Sequence, residues 1–337
     1  MTGRDDRRRV RRRGACSSRA RACAIRGLIA SACILGSAGT PAQDLEPRAY
    51  ANTPVGLNFL VAGFTYSVGD VAVDPALPLK DASLRLETGT LAYARSIDFL
   101  GRSAKFDVVV PYAGLSGDAR LAGQPVRRDV GGLGDPRFRL SVNFFGAPAL
   151  TVSEYPAYRQ DVIVGASVYA WAPWGQYDPD KLVNLGTNRW TFKTEFGVSK
   201  ALGAWTLEFV PAVAFFTDNT DFAGGRTRAQ DPIYSVQVHA IYAFRSGIWA
   251  ALDGTYFKGG RTSVDGIPAR DRQSNARAGL TVALPVDRAN SIKFYASTGV
   301  ATRSGGDFDT LGIAWQYRWG GGYERLVDWR RGAVVAP

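Results

Sequence analysis

The chain has 337 residues, of which 46% are hydrophobic and 12% aromatic, and its formal net charge is +11. Its mean hydropathy of −0.11 is typical of strands that are apolar on one face and polar on the other. Residues 1–42 contain ten arginines and two aspartates, a net charge of +8, which leaves only +3 for the remainder. That remainder is too weakly basic to indicate a nucleic-acid partner.

The first 42 residues have the layout of a secretory signal peptide with a long basic n-region. A basic stretch precedes the apolar segment 27–36, and small residues follow it, which is the order of regions in such peptides. We expect cleavage after Ala42 and export to the cell outer membrane. A start codon assigned too far upstream would explain the long basic stretch, and so would a disordered basic arm.

The exported part contains no cysteine and no long apolar run. All three cysteines lie in the leader, so disulfides and cysteine metal sites are excluded after it. No run of 18 or more apolar residues follows residue 42, and a membrane-spanning helix is therefore not expected. We assign residues 43–53 to a short periplasmic N-terminal segment.

Alternation of apolar and polar residues is the main signal in the exported chain. From Trp190 to Val198 the even-numbered positions are mostly apolar, whereas Lys193 and Glu195 occupy the other face. A period of two predicts a strand with one apolar face. Twelve segments show this pattern, each long enough for a tilted strand to cross a bilayer. They lie near 55–68, 84–98, 103–113, 136–145, 160–173, 189–200, 204–216, 233–245, 247–258, 274–284, 290–301 and 308–319.

The connections and the aromatic residues favour a membrane barrel over a soluble β-sandwich. Short and long connections alternate, as between the two ends of an outer-membrane barrel, and only 146–159 fits poorly. Aromatic residues at strand ends are typical of two interfacial girdles; they are Tyr112, Trp171, Trp174, Trp190, Trp205, Trp249, Tyr256 and Trp319. The sequence therefore predicts an all-β, transmembrane, antiparallel up-and-down β-barrel of about 12 strands over residues 54–319, followed by a C-terminal tail, 320–337.

If the apolar face meets lipid, the opposite face lines the lumen and carries charged residues. We expect most of these to pair across neighbouring strands, because an unpaired charge in a confined space is costly. Their excess of cations favours anionic solutes. The candidate lumen or transport residues are Arg85, Glu87, Lys105, Asp107, Arg137, Arg139, Lys193, Glu195, Glu208, His239, Asp253, Arg277, Lys293 and Arg318.

His239 is the only histidine, so a histidine-cluster metal site is excluded and a Ser-His hydrolase would have to use this residue. Barrel lipases place a serine two positions after the histidine, where this chain has Ile241. A hydrogen-bonded lumen residue is therefore favoured over a catalytic base. The glycine-rich segments 131–136 and 259–261 do not lie between a strand and a helix, so nucleotide binding is not expected. We predict no catalytic residue, cofactor or metal.

Several segments resemble the MetA-pathway of phenol degradation family. They are GLGDPR (132–137), APWGQYDP (172–179), NLGTNRW (184–190), TDN (217–219), GGR (259–261), GGDFD (305–309) and WQYRW (315–319). The resemblance covers residues 54–319 and implies an outer-membrane transporter of aromatic or other hydrophobic compounds, without catalytic residues. The 18 residues after Trp319 depart from the family, which implies a periplasmic tail or an extended reading frame.

We therefore expect passive passage of a small hydrophobic or aromatic compound through a polar, charge-lined lumen. The expected partners are outer-membrane lipids, the solute and the barrel-assembly machinery, with no nucleic acid. A barrel-embedded lipid-modifying enzyme and a non-conducting structural barrel are the two alternatives.

Overall fold

The structure, a computed structural model, describes residues 45–72, 79–121, 123–181 and 183–322. The predicted signal peptide and the tail from residue 323 onward lie outside these residues. The described chain is almost entirely β-structure, with one short 3-10 turn, Tyr155–Ala157. Its strands are β1 (Leu57–Ala72), β2 (Leu79–Phe99), β3 (Arg102–Leu121), β4 (Gln124–Leu133), β5 (Arg137–Phe145), β6 (Val162–Trp171), β7 (Thr191–Leu202), β8 (Trp205–Phe216), β9 (Asn219–Phe222), β10 (Arg226–Gln230), β11 (Ile233–Ala243), β12 (Trp249–Gly259), β13 (Thr262–Val264), β14 (Ile267–Pro268), β15 (Gln273–Pro285), β16 (Asn290–Ala301) and β17 (Gly305–Gly320).

Twelve of these strands form a closed antiparallel barrel, which confirms the predicted fold. Their order around the ring is β1, β2, β3, β5, β6, β7, β8, β11, β12, β15, β16 and β17. The ring closes because β17 pairs with β1 along its whole length, from Leu57 opposite Gly320 to Ala72 opposite Gly305. Each of the twelve predicted segments corresponds to one ring strand.

The outside of the barrel is apolar, since the alternating pattern turns large hydrophobic side chains outward. Leu91, Phe209 and Leu252 are each more than half exposed, as expected for a surface that faces lipid. Trp174, Trp190 and Trp205 are also exposed on this surface. No α-helix in the described part of the chain has the length and hydrophobicity needed to cross a membrane.

Two of the predicted girdle residues face the lumen instead. Trp171 stacks on the buried Tyr169, with ring centroids 5.6 Å apart, and Trp249 lies under the guanidinium of Arg48, 5.4 Å from it. Both occupy odd-numbered positions, which point inward on β6 and β12. Their place at strand ends suggested a girdle, but the strand register decides which way each side chain points.

The two ends of the barrel differ. Short turns such as 203–204 and 286–289 lie at the end that holds both the start of β1 and the end of β17, which is the periplasmic end of such barrels. The connection 146–161 also lies there and is longer than its neighbours. Long connections lie at the opposite, extracellular end, where β9, β10, β13 and β14 form a separate four-stranded sheet.

Strands β4 and β5 run along the same neighbour, β3, and are separated by residues 134–136. Leu133 of β4 pairs with Tyr112, and Arg137 of β5 pairs with Val109. Three residues of one chain therefore oppose two of the other, which is the geometry of a bulged strand. This interruption allows the β3–β4 hairpin to extend beyond the rest of the barrel.

Candidate functional site

The chain before β1 enters the barrel from the periplasmic end. Near Pro54 it is anchored at the base, because the amide of Val55 donates to the Leu150 carbonyl (2.8 Å) and Gly56 donates to that of Ser96 (3.0 Å). Residues 45–52 then lie among lumen side chains of several strands. The segment 43–53 was predicted to be periplasmic, but its described residues up to 52 occupy the lumen.

Glu46 explains why this segment lies inside. Its carboxylate accepts from Arg137 Nη1 (2.6 Å) and pairs with Arg139. The same two guanidinium groups reach Asp107, at 3.5 Å from Arg137 and 2.5 Å from Arg139. Two cations on β5 need more negative charge than Asp107 alone supplies, and burial makes that need acute. The N-terminal segment provides the second carboxylate.

Tyr169 extends this network to the next strands. Its hydroxyl donates to Glu195 (2.6 Å) and receives a hydrogen bond from Arg139 (3.3 Å). Lys193 pairs with Glu195 at 2.8 Å and lies 4.2 Å from the centroid of the Tyr169 ring. We call these residues, with Glu46, Asp107, Arg137 and Arg139, the mid-lumen network. It fills one side of the lumen with paired charge.

Tyr50 anchors the N-terminal segment below the mid-lumen network. Its side chain is fully buried, and its hydroxyl lies 3.0 Å from Ser167 Oγ. A Cβ atom on Gly197 would lie only 2.1 Å from the Tyr50 ring, and one on Gly165 only 2.6 Å. These two glycines are paired neighbours on β6 and β7. The absence of side chains at both positions creates the seat for the ring.

A second group of buried polar residues crosses β8, β11, β12 and β15. His239 Nδ1 lies 2.7 Å from Asp253 Oδ1, and Thr281 donates to the other oxygen of that carboxylate (2.8 Å). Glu208, paired directly with His239 in the sheet, accepts from the Arg48 amide (2.8 Å) and from Ser199 (3.1 Å). This group therefore also holds the N-terminal segment.

The remaining predicted cations also occupy inward positions. Lys105 donates to the carbonyl of Ala49 (2.6 Å), and Arg277 donates to Ser297 Oγ (3.1 Å) and to the Phe308 carbonyl (2.6 Å). Lys293 Nζ lies 5.5 Å from the Tyr295 ring centroid. Arg318 lies at the periplasmic rim and donates to the carbonyl of Arg288 (2.7 Å).

Arg85 and Glu87, by contrast, do not face the lumen. Both are exposed, whereas the alternate residues Leu84 and Leu86 pack inward against Leu115 and its neighbours. β2 has 21 residues, far more than the roughly 9–11 needed to cross a bilayer. Its extracellular part therefore stands beyond the lipid, where charged residues can face outward and the simple rule of apolar outside and polar inside no longer holds.

The extracellular half of the lumen carries two apolar patches on opposite sides of the ring. The first apolar wall lies on β2 and β3, and Leu185 of the connection 172–190 packs on it; its strand residues are Leu84, Leu86, Ala113 and Leu115. The second apolar wall lies on β8, β11 and β12 and consists of Ala214, Phe216, Ile233 and Phe257. The apolar walls thus lie above a polar, filled centre.

Asp135, within the GLGDPR segment, fixes the connection 172–190 over the mouth. One carboxylate oxygen accepts from the Gly175 amide (2.9 Å), and the other accepts from the Thr187 amide (2.8 Å) and hydroxyl (2.7 Å). The same connection carries Arg189, which is only 7% exposed. Sequence reasoning assigned neither residue a role beyond loop structure and family resemblance.

The sequence prediction also missed Glu46, Arg48, Tyr50 and Tyr169. The paired glycines on lumen-facing positions and the long connection 146–161 were signals of an additional element in the barrel. That connection holds the segment from below, because Asn52 donates to the Pro148 carbonyl (3.3 Å) and Tyr155 donates to the Asn52 carbonyl (3.1 Å).

His239 is the one histidine of the sequence, and its buried side chain lies in the lumen. His239 is oriented by Asp253, yet no serine hydroxyl is hydrogen-bonded to its ring in the described residues. Among those residues, no group of His, Asp and Glu side chains is arranged to hold a metal ion. Neither the serine of a Ser-His hydrolase nor the ligand set of a metal site thus accompanies His239 among the described residues.

One solved structure and one family profile agree with this architecture. The COG4313 outer membrane channel from Pseudomonas putida F1 superimposes with a TM-score of 0.71 at 23% identity, over 82% of this chain and 100% of that one. The beta domain of the Bordetella autotransporter Brka gives a TM-score of 0.47 at 10% identity, over 78% of this chain and 100% of that domain. No curated protein sequence matches. The profile of the family described as "Putative MetA-pathway of phenol degradation" matches residues 62–317, and the chain belongs to that family.

Proposed function

We propose that this barrel carries a small hydrophobic or aromatic compound across the outer membrane by passive transport. The observation that carries the proposal is the pair of apolar walls on opposite sides of the ring in the extracellular half of the lumen. Phe257 and Ile233 of the second apolar wall are almost fully buried on the inward face. An aqueous pore for ions and sugars would gain nothing from such residues, whereas a hydrophobic solute that displaces the groups now covering them is stabilised by contact with them.

The middle of the lumen supports a gated passage rather than an open one. The N-terminal segment and the mid-lumen network occupy part of the space below the apolar walls, so a shift of the segment would widen the path of a solute. Contacts along such a path must be weak and repeated, because a solute that binds too tightly at one site is not released. The family to which the chain belongs is named for phenol degradation, which agrees with an aromatic cargo.

We infer a transport protein rather than an enzyme. The lumen residues pair with each other or with the N-terminal segment, and His239 has no hydroxyl nucleophile among its described hydrogen-bond partners. The structurally similar Pseudomonas putida F1 protein is an outer membrane channel, which supports the same class for this chain.

Uptake of a labelled aromatic compound by porin-deficient Gram-negative cells tests the proposal. Cells that produce the protein should take up toluene or phenol faster than cells with an empty vector. Phe257→Ala should reduce this rate several-fold, because it removes one of the two phenylalanine side chains of the second apolar wall. Phe215→Ala is the matched control, since Phe215 is 46% exposed on the outer face of β8, a strand that also contributes to the second apolar wall. An uptake rate equal to that of the empty vector for every aromatic tested would leave a structural barrel as the better description.

A further inference from the structure

Arg189 is a buried cation with an unused hydrogen-bonding edge. Its Nη2 group donates to Gln230 Oε1, while Nη1 is buried and has no hydrogen-bond partner among the described residues. The side chain takes part in no ion pair within the described part of the chain. A buried donor without a partner costs free energy, and a charged one costs more. A bound molecule that accepts a hydrogen bond from such a donor would remove this cost.

The face of this guanidinium lies against an aromatic surface. Its central carbon is 4.5 Å from the centroid of the Phe216 ring. Phe216 in turn packs on Ala214, Ile233 and Phe257, so Arg189 lies at the edge of the second apolar wall. A cation and an apolar aromatic surface are thus joined in one place, in the extracellular half of the lumen.

The local charge favours an anion over a neutral partner. Burial is the main cause that lowers the pKa of Arg189, to about 9, and the positive charge of Arg228 lowers it further. Asp135 and Asp218 act on Arg189 only through weaker long-range attraction. Burial and the charge of Arg228 both destabilise the charged form of the guanidinium. An anion bound at Nη1 would stabilise that form.

We infer that Arg189 and the second apolar wall form a binding site for an aromatic monocarboxylate in the extracellular half of the lumen. The carboxylate accepts from Nη1 and from the hydrogen of Nη2 that does not point to Gln230, which is the two-point pairing that guanidinium and carboxylate groups favour. The aromatic ring packs against Phe216 and Phe257. This inference rests on the proposed function and narrows its cargo to amphiphilic aromatic acids.

Gln230 gives the site its orientation. It accepts from Arg189 through Oε1 and donates through Nε2 to the Gly260 carbonyl (3.0 Å). Because both ends of the amide are used, its carbonyl oxygen points toward the guanidinium. A fixed partner on one nitrogen holds the planar group so that the opposite edge stays available.

The test compares benzoate with benzyl alcohol, which has nearly the same shape and no charge. Uptake of each compound is measured in porin-deficient cells, and binding of each to the purified, folded barrel is measured by calorimetry. Arg189→Gln and Arg189→Lys are the test variants. Arg261→Gln is the control, because Arg261 also carries a positive charge at the extracellular end but is 51% exposed and pairs with Asp231. Folding of each variant is verified on denaturing gels, where the unheated barrel should migrate differently from the boiled protein.

We expect Arg189→Gln to weaken benzoate binding and uptake about tenfold or more, the effect of losing a charge-assisted pair, with benzyl alcohol changed less than about twofold. Binding and uptake of benzoate by Arg189→Lys should lie between those of the wild type and of Arg189→Gln, since lysine keeps the charge and loses the two-point geometry. Unchanged benzoate binding in both variants would overturn the inference. If the wild-type protein transports benzyl alcohol while benzoate is insensitive to Arg189, only the inference fails. If neither compound is transported, the proposed function fails, and calorimetry still decides whether Arg189 binds the carboxylate.

Discussion

Removal of the Glu46 carboxylate should release the N-terminal segment from the lumen. In Glu46→Ala, Arg137 and Arg139 lose the carboxylate that they share and still pair with Asp107. Glu46 is 28% exposed and the two arginines are 11% and 14% exposed, so the pairs are largely desolvated. Breaking a pair of this kind costs about 3 kcal/mol.

That cost falls on docking of the segment and not on the barrel itself, because the ring of strands closes without residues 45–52. A change of about 3 kcal/mol corresponds to a roughly hundredfold larger released population. The buried ring of Tyr50 still favours the docked state, so the variant remains docked most of the time. Release of the segment is therefore measured as the rate at which a protease reaches it, and not as a change of fold.

Limited trypsin digestion measures this access at the peptide bond after Arg48. While the segment is docked, Arg48 lies inside the lumen with its amide bonded to Glu208, and cleavage follows the small released population. Mass spectrometry of the new N-terminus at Ala49 reports the rate. Glu154→Ala is the control, because Glu154 is an acid in the periplasmic connection that bonds only to nearby Thr151 among the described residues. Cleavage of Glu46→Ala at the wild-type rate, with the barrel folded, would refute the assigned role of Glu46.

Three further outcomes follow from the geometry. Gly197→Ala should speed the same cleavage, since the added methyl would meet the Tyr50 ring at 2.1 Å, whereas Gly114→Ala, with nothing within 4 Å, should have no effect on it. Asp253→Ala should lower the temperature at which the barrel unfolds on gels, because His239 Nδ1 and the Thr281 hydroxyl lose their acceptor at a cost of about 2–3 kcal/mol; Asp161→Ala, at a position 78% exposed, is the comparison, and equal melting would contradict the role of Asp253. Arg139→Gln removes a lumen cation and should make the barrel more cation-selective, as measured by the reversal potential in planar bilayers. Arg85→Gln should leave the reversal potential unchanged, and equal shifts in the two variants would contradict the outward placement of Arg85.

The barrel could be predicted from sequence because lipid and lumen impose opposite demands on alternate residues. Phe192 and Phe196 face outward while Lys193 and Glu195 are buried inside. The sequence of β7 therefore shows the two faces as an alternation of apolar and charged residues. The rule of apolar residues outside and polar residues inside fails where lipid no longer surrounds the strands. Beyond the membrane, water rather than lipid lies outside β2, while the inner face packs against Leu115 and Leu185. Leu84 and Leu86 therefore point inward, and Arg85 and Glu87 point outward into water.

The lumen contents were harder to predict because their contacts join distant parts of the chain. Glu46 and Arg137 are 91 residues apart, and Tyr50 and Ser167 are 117 apart. No local pattern links such pairs, and the segment before β1 has no periodicity of its own. The surplus of predicted inward cations was a physical hint, since a confined positive charge requires a carboxylate that the strands alone do not supply.

The attachment of the N-terminal segment to β1 has a consequence for how the passage would reset. Only eight positions separate Glu46 from the base anchor at Pro54, a reach of at most about 28 Å. A released segment therefore stays close to its seat, at an effective concentration in the millimolar range. Return is then an intramolecular event that needs no partner and no energy source, so each opening of the proposed passage would end spontaneously.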